Sequence, residues 1–306
     1  MAAAPATEGA MLLGQDEQRD QFESALAAGR MPHAWLLEGP RGLGKRGFAD
    51  WAALRLLGGS TPEGREAAAH LVRAGSHPDF RTLQSPTEGK GSATGVIPVE
   101  QVRELPGFLR SHAALSPWRV VIVDAAEDLN RSSANGLLKL LEEPGGQTVF
   151  LLVSHAPARL LPTVRSRCRR LRFRPLTDSA LAPLVADLSP ADQAALLKLA
   201  RGSPGDLTRL RSGDALGLLR DLVHVPPARF ARQFQGATAL DRFRLLVELA
   251  PRHLAQQARA RRDARIAVIQ QEATRLAAEA LPGALDRQQT AHALAQMVQA
   301  AAGTEP

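Results

Sequence analysis

Three stretches of the chain are unbroken apolar runs. They are Ala34–Glu38 (AWLLE), Arg119–Asp124 (RVVIVD) and Thr148–Ser154 (TVFLLVS). Short apolar runs with no polar face, of β-branched residues in Arg119–Asp124, predict strands covered on both sides. Arg170–Arg174 (RLRFR) alternates charge and apolar residue, which predicts a strand with one wet face. Helical spacing separates the strands at Gln15–Ala28 (ended by Gly29), Gly47–Leu57, Val99–Arg110 and Ser132–Glu143 (stopped by Pro144 and two glycines). Strands alternating with helices predict an α/β domain with a largely parallel sheet. The stretch Gly58–Gly95 is rich in Gly, Ser, Thr and Pro and reads mainly as a surface insertion, with one helical stretch near Glu66–Ala74.

Beyond Pro175 the rhythm is helical throughout. Helices are expected at Ser179–Leu188, Ala191–Ala200, Leu207–Leu210 and Ala215–Val223, with three or four longer ones after them. Leu245, Leu246, Leu249 and Leu254 form one apolar stripe, and Ile266, Ile269, Leu276 and Leu281 a second. Arg259, Arg261, Arg262 and Arg265 lie between the stripes and read as a solvated turn rather than a DNA-facing patch. Divisions near Pro175 and Arg211–Gly213 give three domains, 1–174, 175–212 and 213–306.

Composition changes this picture little. The net charge of +7 suits polyanion contact and an Arg-rich solvated surface equally. The single cysteine, Cys168, excludes an internal disulfide and a zinc site built on cysteines, and fits a reducing cytoplasm. Met1–Gly14 lacks the basic and apolar regions of a signal peptide, and no apolar run approaches the length of a membrane span. A cytoplasmic location is expected.

Three segments carry chemistry. Gly39-Pro40-Arg41-Gly42-Leu43-Gly44-Lys45-Arg46 matches the phosphate-loop pattern G-x-x-x-x-G-K and departs from it at the final position. Glycines there let backbone N–H groups curl round phosphates, the lysine reaches the outer phosphates, and a final Ser or Thr hydroxyl holds magnesium. Arg46 has no hydroxyl and carries positive charge. The strand before the loop and the helix after it support a phosphate-loop origin; whether nucleotide still binds stays open. Val120–Asp124 looks like the strand whose terminal Asp supports magnesium, but Ala125 stands where hydrolysing relatives place a glutamate, and Glu127 comes two residues later. Ser166-Arg167-Cys168 could be ordinary surface charge or an arginine presented to another subunit's γ-phosphate.

The run VVIVDAAEDLNRSSANGLLKLLEEP, with Asn135–Pro144 at its end, and then TVFLLVSHAPARLLPTVRSRCRRLRF resemble the clamp-loader branch of AAA+ proteins. His33–Leu37, Gly75–Asp79 and Val99–Leu105 carry the same likeness, which covers about the first 210 residues. The resemblance implies a RecA-like nucleotide-fold domain, a small helical lid and an all-α collar that joins subunits. It implies a binding and regulatory part in loading a sliding clamp on primed DNA, as a member of a polymerase holoenzyme without polymerase carboxylates of its own. Implied partners are delta and tau/gamma subunits, through collar and AAA+ faces, the sliding clamp and primer–template DNA. Arg167 would be the finger offered in trans. Gly39, Gly42, Gly44, Lys45, Arg46 and Asp124 would be a degenerate nucleotide site, with ATP or ADP as a weak or structural ligand. Ser154 and His155 fall at the sensor-1 position.

Two departures matter. Many relatives carry a four-cysteine zinc module after the phosphate-loop helix; Gly58–His77 has no cysteine, and His70 and His77 alone make no such site, so no zinc or other metal is expected. Active relatives place an arginine about where Gly205 stands. Arg46, Ala125 and Gly205 therefore weigh against the competing reading, an active tau/gamma-type ATPase. A stand-alone DNA-binding protein ranks last, for want of a base-reading motif.

Overall fold

The computed structural model describes residues 13–86, 95–110, 112–236, 239–280 and 285–303. The reading of Met1–Gly14 falls almost wholly outside them, as does Leu281. The chain gathers into two compact units, one of residues 1–181 with 201–205, the other of residues 182–200 with 206–306.

The first unit is built as α1 (Asp16–Ala27), β1 (Ala34–Glu38), α2 (Lys45–Leu57), α3 (Pro62–Arg73), β2 (Phe80–Gln84), α4 (Val99–Arg110), β3 (Arg119–Asp124), α5 (Arg131–Glu142), β4 (Thr148–Ser154), α6 (Pro162–Ser166), β5 (Arg169–Arg172) and α7 (Asp178–Leu181). The sheet is parallel, in the order β2-β3-β4-β1-β5. Alternation along the strands divides the core. Trp35, Leu37, Val120, Ile122, Leu151 and Val153 face Phe22 of α1 and Phe48, Ala52 and Leu56 of α2. Leu36, Val121, Val123, Phe150 and Leu152 face Val102 and Leu105 of α4, Leu137 and Leu141 of α5, and Val164. Every residue of β1 and β4 is buried, as their unbroken apolar runs require.

β2 corrects the reading of Gly58–Gly95 as mainly an insertion. FRTLQ buries only Leu83 and lies at the sheet edge beside β3, so it has neither an apolar run nor a clean alternation. α3 begins at Pro62, before the expected Glu66, because Thr61 caps it: its side chain accepts the Gly64 N–H at 3.1 Å, and proline suits the first turn.

In the second unit the helices are α8 (Pro190–Ala200), α9 (Pro204–Ser212, from Asp206 on), α10 (Ala215–His224), α11 (Pro227–Ala231), α12 (Leu240–Arg261), α13 (Ala264–Ala280) and α14 (Arg287–Gly303). The helix expected at Ser179–Leu188 is instead the short α7 followed by a 3₁₀ turn, Ala182–Val185. α12 carries the first leucine stripe into the core, beside the rings of Phe230, Phe234 and Phe243. The second stripe is shifted: α13 buries Ile266, Ala273, Ala277 and Ala280, while Leu276 is only half-buried. Arg262, with φ +53°, ends α12 inside the arginine cluster, where a turn was expected.

Candidate functional site

α2, which follows β1, packs on one face of the sheet and Val164, which follows β4, on the other; open parallel sheets hold ligands at the carboxyl ends of strands that part in this way. The chain leaves β1 at Glu38 and turns through Gly39–Gly44 into α2. Gly39 has φ +150°, and a Cβ there would lie 2.3 Å from the Phe173 carbonyl oxygen, so the loop can leave the sheet only with glycine. Gly44 is the N-cap of α2 and gives it no side-chain bond. The first N–H groups of α2 are then left to bind an anion, at the positive end of the helix dipole.

Lys45 is buried. Its Nζ turns back to donate to the carbonyls of Gly39, at 2.6 Å, and Pro40. Burial lowers its pKa to about 8, against the opposing pull of Glu127 and Asp124. Arg46, one residue on, stands between two carboxylates. Its Nε donates to Asp50 Oδ1 at 2.9 Å and an Nη to Asp124 Oδ2 at 3.3 Å. Burial lowers the arginine's pKa less than Asp50 and Asp124 raise it, leaving it above its usual value. The Asp50 carboxyl is raised, chiefly by burial.

This geometry does not fit magnesium. A magnesium ion takes oxygen ligands at ~2.1 Å in a near-octahedral set. The loop offers a guanidinium in place of the hydroxyl, and that guanidinium already holds the Asp124 oxygen.

Glu127 is the residue the sequence reading left aside. The 3₁₀ turn Ala126–Asp128 folds it back, and its Oε1 accepts the His155 N–H at 2.8 Å. Burial pushes this carboxyl up, but the backbone N–H groups outweigh burial and hold it below the usual range. The His155 imidazole is pushed down by burial and by Lys45. Glu127 Oε2, Ser154 Oγ and His155 Nδ1 are buried and make no hydrogen bond of good geometry, although the Ser154 hydroxyl lies near enough to Glu127 to help lower its carboxyl. The expected loop residues, Asp124, Ser154 and His155 thus share one end of the sheet, with Glu127 added. An acidic residue in a tight turn just after a strand was the available signal.

The Gly205 N–H donates to the Gly42 carbonyl at 2.9 Å. A Cβ on Gly205 would meet that oxygen at 2.9 Å and the Gly42 Cα at 3.1 Å, so the backbones touch where a side chain has no room.

Arg167 lies elsewhere. It follows α6 and precedes β5, which starts in register with Trp35, so it sits at the amino end of the sheet. The length of a strand, ~13 Å for four residues, separates that end from the loop. Its guanidinium, 35% exposed, donates to the Thr163 carbonyl at 3.0 Å and to Glu142 Oε1. Cys168 beside it is buried, which pushes the thiol up to about 12. His70 is exposed on α3, while buried His77 accepts the Asp79 N–H at 3.2 Å. No group of three metal-ligating side chains occurs among the described residues.

A parallel β2-β3-β4-β1-β5 sheet with a glycine loop between β1 and α2 defines an α/β protein of the phosphate-loop class. A family model described as "DNA polymerase III, delta subunit" matches residues 14–177, more than half of the chain, and the chain belongs to that family. It is 43% identical over 187 residues to DNA polymerase III subunit delta' of Pseudomonas aeruginosa, a match covering 58% of this chain and 55% of that one. It is 38% identical over 207 residues to subunit delta' of Escherichia coli, covering 64% and 60%. The match to subunit tau/gamma of Haemophilus influenzae is 28% over 205 residues, covering 64% of this chain and 29% of that one. The chain thus matches well under two thirds of the length of either delta' relative.

Proposed function

We propose that this chain acts as the delta' subunit of a bacterial, cytoplasmic DNA polymerase III clamp loader. In this reading it supports ATP-dependent loading of the sliding clamp on primed DNA without hydrolysing ATP itself. Residues 1–174 are the nucleotide-fold domain, 175–212 the lid and 213–306 the collar that meets the delta and tau/gamma subunits. Arg167 is the arginine finger.

One observation carries the reading. The cations of the chain's own loop, Lys45 and Arg46, and the partly exposed Arg167 sit at opposite ends of the sheet. Arg46 is tied to Asp50 and Asp124 beside the chain's own loop. Arg167 is half-exposed at the other end, held by the exposed Glu142. An arginine a strand's length from its own loop is useful to a γ-phosphate only on a neighbour. There a planar fixed cation stabilises the charge that builds on the transferring phosphoryl group. Exchanging a surface carboxylate for a phosphate costs little, because exposed ion pairs are weak.

Substituting Arg167→Ala in the reconstituted assembly is expected to lower ATPase turnover on the order of 10³-fold at the site it serves. The isolated subunit's melting curve should be retained. Unchanged turnover at every site removes the finger assignment.

A second reading, an active ATPase, is favoured by Glu127, which reaches the loop's end of the sheet although Ala125 does not supply a carboxylate. Steady-state turnover by the isolated chain, lost in Glu127→Gln, would put that reading first.

A further inference from the structure

We propose that Arg46 is a built-in replacement for the divalent cation, and that the loop takes a nucleoside di- or triphosphate as the free anion rather than as its magnesium complex. The phosphate ligand rests on the phosphate-loop reading given above; the clamp-loader assignment does not enter.

The guanidinium is held at both ends. Asp50, one helical turn along α2, fixes Nε, and Asp124, at the end of β3, fixes Nη1. It therefore bridges the loop helix and the strand end, the two elements that a metal ion would otherwise join. A magnesium ion brought in with a nucleotide would have to displace this cation from Asp124 or lie against it, and like charges at that separation repel. A free polyphosphate leaves the Arg46–Asp124 contact in place, although it must lie near the carboxylates of Asp124 and Glu127. It brings the negative charge that Lys45, Arg46 and the N-terminus of α2 complement.

A second feature points to a ligand at the same end of the sheet. Ser154 is fully buried and His155 half-buried; His155 Nδ1 makes no hydrogen bond, and the Ser154 hydroxyl, although it lies near the Glu127 carboxylate, makes none of good geometry. Buried polar groups are costly when unpaired, and a phosphate oxygen could accept from the hydroxyl. Lys45 is coupled to the same corner, since its charge helps push His155 down.

The test is binding of a fluorescent ADP analogue to the full chain, followed by anisotropy in EDTA and in excess magnesium chloride. The wild type is expected to bind with unchanged or several-fold tighter affinity in EDTA. Arg46→Ser restores a hydroxyl and frees Asp124, so its affinity should become several-fold tighter with magnesium. Arg46→Lys keeps the charge and should behave as the wild type, which guards against misfolding of the serine variant. Wild-type binding that needs magnesium, or a folded serine variant indifferent to it, overturns the role of Arg46. Absence of binding in both buffers overturns the ligand, and the Arg167 assay still stands or falls separately.

Discussion

The two ends of the sheet differ in how they use buried charge, although each leaves polar atoms without a partner, His33 Nε2 at the amino end among them. At the amino end Asp79 is fully used. Its oxygens accept the N–H groups of Ala114 and Leu115 at 2.7 Å and of Ser116 at 3.0 Å, and the Ser116 hydroxyl donates to Leu56 O. Burial alone would raise this carboxyl, but the three N–H bonds bring it below its usual range. At the carboxyl end Lys45, Glu127, Ser154 and His155 crowd together, and three of their polar atoms make no hydrogen bond of good geometry. Charge at the first end organises loops. At the second end Glu127 is stabilised as a carboxylate much as Asp79 is, while Lys45 is held against burial, which suits a site better than a scaffold.

That contrast can be broken most severely at Asp79. Asp79→Ala leaves three N–H groups without an acceptor and should cost about 3 kcal/mol in urea unfolding. A loss near zero would mean that the two ends do not differ. A smaller effect of opposite sign is expected at Lys45. Its folded pKa of about 8 lies below the ordinary lysine value of 10.5, so between these values the unfolded chain binds more protons. Stability should therefore rise as pH increases through that window, and below it the charged lysine costs stability in full. Lys45→Met should abolish the rise and gain on the order of 1 kcal/mol at neutral pH. A variant less stable than wild type at neutral pH would assign Lys45 to the scaffold. Least of all should change in Glu127→Gln, which keeps an acceptor for the His155 N–H; thermal unfolding should register less than about 1 kcal/mol. A larger loss would make Glu127 a second Asp79.

Much of this was legible in the chain. Apolar runs marked β1, β3 and β4 because strands covered on both faces cannot carry polar residues. The glycine loop was legible because its backbone demands glycine, as the close approach of Gly39 to Phe173 shows. β2 was missed because an edge strand needs only Leu83 in the core. The stripe on α13 was misplaced because alanines, not leucines, fill its contact face. Arg46 could be read as a lost hydroxyl, but not as a cation clamped by Asp124, since 78 positions separate the two. Glu127 was set aside because spacing along an extended chain says nothing of a tight turn that folds back.

The contact of Gly205 with Gly42 also limits what the loop can become. The two backbones meet at hydrogen-bond distance, and a single added carbon at position 205 would collide with the loop. Any side chain placed there, arginine included, would require the segment Arg201–Gly205 to move away from the loop first. The loop and position 205 are thus matched surfaces, and a substitution at either calls for a compensating change at the other.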